Sequence, residues 1–308
     1  MKPVLQPLRF GPVYRNYVWG GERISAKYGR SGLPPVCAES WEIADRPDGM
    51  SIVSAGPLKG KTLHDLVAEM GESLLGRGRR DESFPLLIKI IDARECLSVQ
   101  VHPDVAGAAR HGGEAKTEMW YALDADPDAR VFAGLKKGHT PEELLAAADN
   151  QTVQDLLQAV PVEKGSAVFI PGGRVHAIDA GCLLLEIQQN SNTTYRIYDW
   201  GRPRELHIEQ AMKVICRDDD GDPRVDANDF QCEYFRFRKH GLSGEKKFRN
   251  DGRSFQILFV EEGPLRIAWD DGSDELFSGT SVLLPAALRE WTISPAAGQG
   301  KMLQITLS

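Results

Sequence analysis

Two histidines, a glutamate and a glutamine stand in short alternating stretches of this sequence, and that pattern could assemble a metal-binding site. In Leu97-Ser98-Val99-Gln100-Val101-His102-Pro103-Asp104, an extended chain sends Leu97, Val99 and Val101 to one face and Ser98, Gln100 and His102 to the other. Residues two apart on a strand lie about 7 Å apart at Cα, close enough for both side chains to reach one ion through bonds of ~2 Å. Lys116-Thr117-Glu118-Met119-Trp120-Tyr121 puts Lys116, Glu118 and Trp120 on a shared face by the same period. Taken alone, each stretch reads as an exposed polar face with a surface histidine or a solvated ion pair.

A third stretch is more specific. Gly165-Ser166-Ala167-Val168-Phe169-Ile170-Pro171-Gly172-Gly173-Arg174-Val175-His176 follows G-x5-P-x-G-x2-H. A strand ends in a turn shaped by glycine and proline, and the turn presents a histidine inward. This is the second motif of cupin barrels, matched throughout. Together Gln100, His102, Glu118 and His176 offer two imidazoles, one carboxylate and one amide oxygen. Such a mixed nitrogen and oxygen set suits one Zn²⁺ with an open position, and Mn²⁺, Fe²⁺ or Co²⁺ as substitutes. No thiolate belongs to the set, which argues against a structural zinc.

The elements that must position these residues are mostly short strands. Up to about Gly60 the chain is rich in Gly, Pro and Trp and reads as irregular strands and loops. Thr62 caps a helix through Leu63, Leu66, Val67 and Met70. Strands follow at Phe84–Ile91, Leu97–Val101 and Thr117–Leu123. A helical insertion spans about 140–160. Its first helix opens with the capping box Thr140-Pro141-Glu142-Glu143, and its second is expected at Gln154–Val160. Strands resume at Ala167–Ile170, Leu183–Gln189 and Thr194–Asp199, before a helix at Glu205–Ile215.

The acidic, turn-rich stretch 217–229, containing Asp218, Asp219, Asp220, Gly221, Asp222 and Pro223, reads as a linker. Short strands alternate with turns from Phe230 onward. The fold class is therefore mainly β with helical insertions: a cupin (jelly-roll) β-barrel carrying the metal site over 1–216, and a second cupin-like β-domain over 230–308. Gly279-Thr280-Ser281-Val282-Leu283-Leu284-Pro285-Ala286-Ala287 echoes the metal turn. Arg289 and Glu290 follow it with no histidine at the ligand place, so the second barrel is read as metal-free.

Composition narrows the function classes. The 308 residues are 42% hydrophobic, enough for a sizeable core, and their formal net charge of -7 disfavours nucleic-acid binding. Small anionic molecules are compatible with a local basic pocket. The greasiest runs are strand-sized, and the start, Met1-Lys2-Pro3-Val4, shows no apolar signal region, so no membrane role is expected. Cys37, Cys96, Cys182, Cys216 and Cys232 form no C-x-x-C pair, which reads as reduced thiols in a cytoplasmic protein. There is no phosphate-binding G-x-x-x-x-G-K-[ST] loop and no G-x-G-x-x-G.

Phe84–Lys89, Leu97–Asp104, Lys116–Tyr121, Ile170–Ile178 and Leu184–Trp200 resemble successive motifs of the type I phosphomannose isomerases, in their short bacterial form. Leu185-Glu186-Ile187-Gln188-Gln189-Asn190-Ser191-Asn192-Thr193-Thr194-Tyr195-Arg196-Ile197-Tyr198-Asp199-Trp200 is the most specific of these. The resemblance runs to about Ile215. It implies zinc held by Gln100, His102, Glu118 and His176, and interconversion of mannose 6-phosphate and fructose 6-phosphate through an enediol(ate). It also implies an active-site role for Arg196 and substrate contacts for Ser98, Lys89 and Lys116.

Related enzymes can carry an acid where this chain has Asn192, and an amide is no general base at neutral pH. Glu186 is then the better candidate base, with a structural role beside Arg196 as the other reading. The expected partner is a small sugar phosphate, and the expected assembly a monomer or homodimer. The alternatives are an isomerase of another sugar, an oxygen-activating iron cupin, and a sugar-binding cupin without turnover.

Overall fold

Strand alternation sorts the side chains around the conspicuous polar residues into a packed core, an outer face covered by helices, and a polar cluster. The computed structural model describes residues 6–79, 83–219 and 221–308. It divides into two compact units. One comprises Tyr14–Ser40 and Ile88–Val225; the other comprises the chain up to Val13 with Trp41–Leu87 and Asp226–Ser308.

The unit that carries the conspicuous polar residues is built on two sheets. A five-stranded sheet runs in the order Tyr195–Tyr198, Val99–Val101, His176–Ile178, Arg130–Leu135, Leu157–Pro161. A second sheet contains three strands side by side in the order Ala167–Ile170, Glu118–Ala125, Cys182–Gln189. Trp19, Ile91, Trp120, Val131, Ile170, Ile178 and Leu184 pack in one buried cluster. Each large apolar side chain so buried stabilises the fold by roughly 1.5–3 kcal/mol.

Val99, Val101, Ala177 and Ile197 point to the opposite side of the five-stranded sheet. There they meet Leu144, Ala147 and Val153 of the helical insertion, and Ala211 and Val214 of the helix Ile208–Val214. With the odd-numbered valines facing helices, Ser98, Gln100 and His102 are left facing inward, as the alternation predicts.

The insertion contains the capped helix Pro141–Asp149, in which the Thr140 side chain accepts from the Glu143 N–H and Glu143 reciprocates. Its continuation differs from expectation. Only Val153–Leu156 is helical, and Leu157–Pro161 is a strand, pairing Leu157 with Leu135 and Val160 with Val131. The three-residue spacing of those apolar residues is ambiguous, and pairing with a neighbouring strand decided it. The first segment is also more regular than expected: Arg23–Tyr28 is a helix and Glu39–Ile43 a fully buried strand.

The acidic stretch runs beside the strand Ala167–Ile170. Phe169 N–H donates to Pro223 O at 2.8 Å, Val225 N–H donates to Ala167 O at 3.2 Å, and Arg224 bridges to Val168. Asp220 lies outside the described residues.

In the other unit, a five-stranded sheet (Asp229–Gln231, Phe235–Leu242, Gly300–Leu307, Gln256–Glu262, Ser281–Leu284) accompanies a four-stranded one (Lys246–Arg249, Glu290–Pro295, Leu265–Trp269, Gly272–Leu276). Leu258, Val260, Leu265, Ile267, Val282, Trp291, Ile293 and Met302 share its core. The strand Ser281–Leu284 and its proline turn are present, and Arg289 beyond them is exposed.

Candidate functional site

Cross-strand register brings the site together. Gln100 lies between His176 on one side and Arg196 on the other. In the facing sheet, Glu118 pairs with Gln188 and Trp120 with Glu186, so Glu118, Trp120 and Glu186 share one face. His102, Glu118 and His176 are buried, with one potential ligand atom of each within 4.8 Å of the others. No other such group of three occurs among the described residues.

The two imidazole rings are 4.7 Å apart, and His176 Nε2 stands 3.5 Å from Glu118 Oε1. His176 Nδ1 lies 2.9 Å from Arg174 O; donation there leaves Nε2 with a bare lone pair toward the cluster. Gln100 Nε2 is 3.2 Å from His176 Nε2, and Ser98 Oγ donates to Gln100 Oε1 at 3.2 Å. The Gln100 amide nitrogen thus faces His176, and its oxygen would face a shared ion only with the amide turned over, Ser98 Oγ then accepting from the amide N–H.

Two lysines and two further carboxylates complete the interior. Lys116 Nζ is 2.6 Å from Glu118 Oε2, 3.0 Å from His102 Nε2 and 3.9 Å from Glu186 Oε1. Lys89 Nζ lies 3.3 Å from Glu186 Oε1 and 3.6 Å from Glu39 Oε2. Trp120 Nε1–H donates to Glu186 Oε2 at 2.9 Å, leaving Oε1 toward the lysines.

Burial governs the protonation of this cluster. It drives His176 down to about 3 and, reinforced by the Lys116 ammonium, takes His102 well below the ordinary imidazole range. Both rings are therefore neutral, the form a metal ligand needs. Burial and then the charge of Glu186 push Glu118 up. Burial would raise Glu186 as well, but Lys116, Lys89 and the Trp120 N–H outweigh it and hold Glu186 ionised, well below the usual carboxylate range.

The donors fit a divalent cation. Both imidazoles are neutral, and Glu118 is ion-paired through Oε2 with Lys116 at 2.6 Å, which leaves Oε1 as the oxygen turned toward His176. Glu118 Oε1 is buried and accepts no hydrogen bond. A buried carboxylate oxygen without a donor, beside two neutral imidazoles, gains from a cation shared among their lone pairs.

The cluster lies behind a cleft of about 290 Å³ whose walls include Ser98, Gln100, Lys89, Lys116, Glu186 and Arg196. Sequence reasoning missed Glu39, Tyr17 and Arg204, which also line it. Only strand pairing from distant segments brings them in, and no local motif marks them. Arg196 is half-buried. Its Nη1 donates to Glu205 O at 2.7 Å, its Nε–H is buried without a partner, and no hydrogen bond joins it to Glu186 among those resolved. Asn192 lines the cleft as an exposed residue. Arg204 carries a bidentate pair with Asp199, both contacts at 2.6 Å.

This arrangement can be set against known proteins. Residues 7–151 match the model of the phosphomannose isomerase type I catalytic domain, and residues 228–306 match that of the mannose-6-phosphate isomerase cupin domain. Mannose-6-phosphate isomerase ManA of Bacillus subtilis is 35% identical over 306 residues, covering 94% of this chain and 96% of its own. The chain belongs to the type I phosphomannose isomerase family.

A Streptococcus mutans mannose-6-phosphate isomerase agrees at 34% identity, over 93% of this chain and 94% of its own. The solved mannose 6-phosphate isomerase from Bacillus subtilis superposes with a TM-score of 0.88 at 32% identity, covering 97% of this chain and 99% of that one. The catalytic-domain match stops before His176, Glu186 and Arg196, which are covered through these nearly full-length relatives. Both cupin units of the phosphomannose isomerase architecture are present, and only one has a cluster of metal-ligand type among the described residues.

Proposed function

We infer that this chain is a metal-dependent mannose-6-phosphate isomerase whose reaction takes place in the cleft above His102, Glu118 and His176. The observation that carries this reading is the buried convergence of His102, Glu118 and His176, with a Glu118 oxygen that accepts no hydrogen bond, behind a cleft whose lining includes Lys89, Lys116, Arg196 and Arg204, in a member of this family. Zinc held by Gln100, His102, Glu118 and His176 suits the donor set, and Mn²⁺, Fe²⁺ or Co²⁺ are chemically allowed substitutes. Bound there, the metal supplies Lewis-acid stabilisation of negative charge on sugar oxygens.

The chain's own residues do the rest. Arg196, with its unpartnered Nε–H, and Arg204 are the more exposed cations of the cleft and bind the phosphate dianion. Lys89 and Lys116 are buried beside Glu186 and act nearer the reacting carbons. Glu186 Oε1 takes the proton from C2 of the open-chain aldose and returns it to C1. Lys116 Nζ, 3.9 Å from that oxygen, faces the charge building on the sugar oxygens and shuttles a hydroxyl proton between them. Ser98 holds Gln100 in place through its hydroxyl.

All of these residues lie in the unit formed by Tyr14–Ser40 and Ile88–Val225, which supports a catalytic region ending at the acidic stretch 217–229, with 230–308 as the second cupin-like domain and segments of 1–87 clustering with it. No helix among the described residues is long and apolar enough to cross a membrane. The five cysteines are all free, which favours a cytoplasmic setting.

The test is fructose 6-phosphate formation from mannose 6-phosphate by purified protein, before and after chelation and after zinc return. Turnover lost with the chelator and regained with zinc supports the reading. A zinc-loaded protein that forms no fructose 6-phosphate refutes it.

A further inference from the structure

The turn that delivers His176 is gripped from several sides. Gly172 N–H donates to Thr117 Oγ1 at 3.1 Å, beside Glu118. Gly173 N–H donates to His102 O at 2.7 Å, and Gly173 O accepts from Cys216 N–H at 2.8 Å. Arg174 O receives His176 Nδ1 at 2.9 Å. One five-residue turn thus touches the backbone or side-chain support of all three clustered donors.

Close packing allows this grip. A Cβ on Gly172 would stand 2.6 Å from Asp104 Cα, and Gly173, at φ +92°, has Cys216 and Val214 against it.

Arg174 is the part of the turn with no role so far. Its side chain is buried, and it reaches away from the metal donors into the acidic stretch. Its Nε donates to Asp219 Oδ2 at 2.7 Å and its Nη2 to Asp219 Oδ1 at 2.5 Å, a bidentate pair. Nη1 donates to Phe169 O at 3.0 Å and Nη2 also reaches Gly221 O at 3.2 Å. A guanidinium this buried, held by one carboxylate and two carbonyls, leaves the backbone of residue 174 little freedom. The Arg174 carbonyl is the group that orients the His176 ring.

We infer that Asp219 is a positioning residue for the metal centre: through Arg174 it fixes the carbonyl that orients His176, so the acidic segment acts as a strap that sets metal affinity and release. The inference rests on the metal reading given above. Neutral-ring orientation by a partner on the far nitrogen is the usual means by which a protein tunes an imidazole ligand, and loss of such a partner weakens metal binding about 10–100-fold.

The experiment measures zinc affinity by competition with a chromogenic chelator, and zinc release into excess chelator, for wild type, Asp219→Asn, Asp219→Glu, Arg174→Lys and Asp222→Asn. Each is measured well below the melting temperature of its metal-free form. Asp219→Asn is expected to bind zinc about 10–100-fold more weakly and to release it faster. Asp219→Glu recovers part of the loss.

Arg174→Lys, which keeps the charge but not the bidentate fork, falls about tenfold and carries the test if Asp219→Asn does not fold. Asp222→Asn, whose carboxylate accepts from Arg224 N–H within the segment, stays at the wild-type value. A wild type that binds zinc while Asp219→Asn and Arg174→Lys remain within twofold of it overturns this inference alone. So does a variant melting temperature that falls with affinity and release unchanged. A wild type that takes up no zinc overturns the metal reading and this inference together.

Discussion

Free zinc concentration should set the thermal stability of this protein, by an amount that follows from the charge and partners of the buried cluster. The buried donors His102, Glu118 and His176 converge, and Glu118 Oε1 has no hydrogen-bond donor. The folded state therefore holds a preformed site that the unfolded chain lacks, since Gln100, His102, Glu118 and His176 come together only through strand pairing. Ligand linkage then adds about 1.4 kcal/mol of stability for each tenfold rise in free metal above the dissociation constant, and ~2.7 kcal/mol at a hundredfold excess. A folding unit of 150–250 residues moves by about 2–4 °C per kcal/mol. The expected slope is about 3–6 °C per decade of free zinc.

Far-UV circular dichroism melts in zinc buffers of fixed free concentration measure this slope, with chelator as the baseline. Glu118→Gln keeps the side chain's shape and removes the ligand charge, so its slope should collapse toward zero over the same range. A flat wild-type response, or an equal slope in Glu118→Gln, would refute the argument, because charge and ligand set would then have no thermodynamic link to a metal.

Three further outcomes are expected. Glu186→Gln should lower kcat by about 10²–10⁴ while leaving zinc stoichiometry intact, since Glu186 is ion-paired to lysines and not among the clustered donors; a kcat within threefold of wild type removes it as the base. Arg196→Ala and Arg204→Ala should each raise KM for mannose 6-phosphate by about 10–150-fold, the equivalent of 1.5–3 kcal/mol for a charged hydrogen bond, and barely alter the handling of unphosphorylated mannose; equal effects on both sugars exclude a phosphate contact.

The third concerns pH. Asp92 is fully buried, accepts from Arg23 N–H at 2.7 Å, and is raised above its ordinary value by burial. A folded-state pKa above the unfolded one gives stability that is present below about pH 4 and lost as pH rises through the folded value. Urea melts should therefore show wild type losing ground relative to Asp92→Asn as pH climbs from 4, and a constant difference across pH would contradict the assignment.

Much of the site was legible because alternation in a strand is a strict rule. Once Val99 and Val101 are assigned to a covered face, Ser98, Gln100 and His102 must share the other, and the helices that cover those valines are present. The G-x5-P-x-G-x2-H stretch was legible because its glycines meet specific backbone: Gly172 sits against Asp104, and only a residue without Cβ fits there. What stayed hidden depends on pairing between distant segments. Glu39 reaches Lys89 from a strand in a region read as irregular, and Arg204 enters the cleft from a loop held by Asp199. The helix expected over Gln154–Val160 gives way to a strand from Leu157, because Leu157 and Val160, three apart, suit either period and the strand Arg130–Leu135 decides between them.

The second cupin-like unit shows that the metal cluster does not come with the architecture. It has a comparable strand and proline turn, and several of its inward polar groups hydrogen-bond to one another. Trp291 Nε1–H donates to Gln256 Oε1 at 3.2 Å, Gln304 Nε2 donates to the same oxygen at 3.1 Å, and His240 Nε2 meets Gln304 Oε1 at 2.9 Å. Here an imidazole, two amides and an indole form a chain of donors and acceptors with no carboxylate in it. The catalytic unit places neutral imidazoles around an ionisable carboxylate and leaves one of its oxygens without a donor. Burial makes that arrangement unfavourable in isolation and favourable once a cation is shared among the lone pairs. The chemistry of the fold thus resides in which inward positions are left unsatisfied.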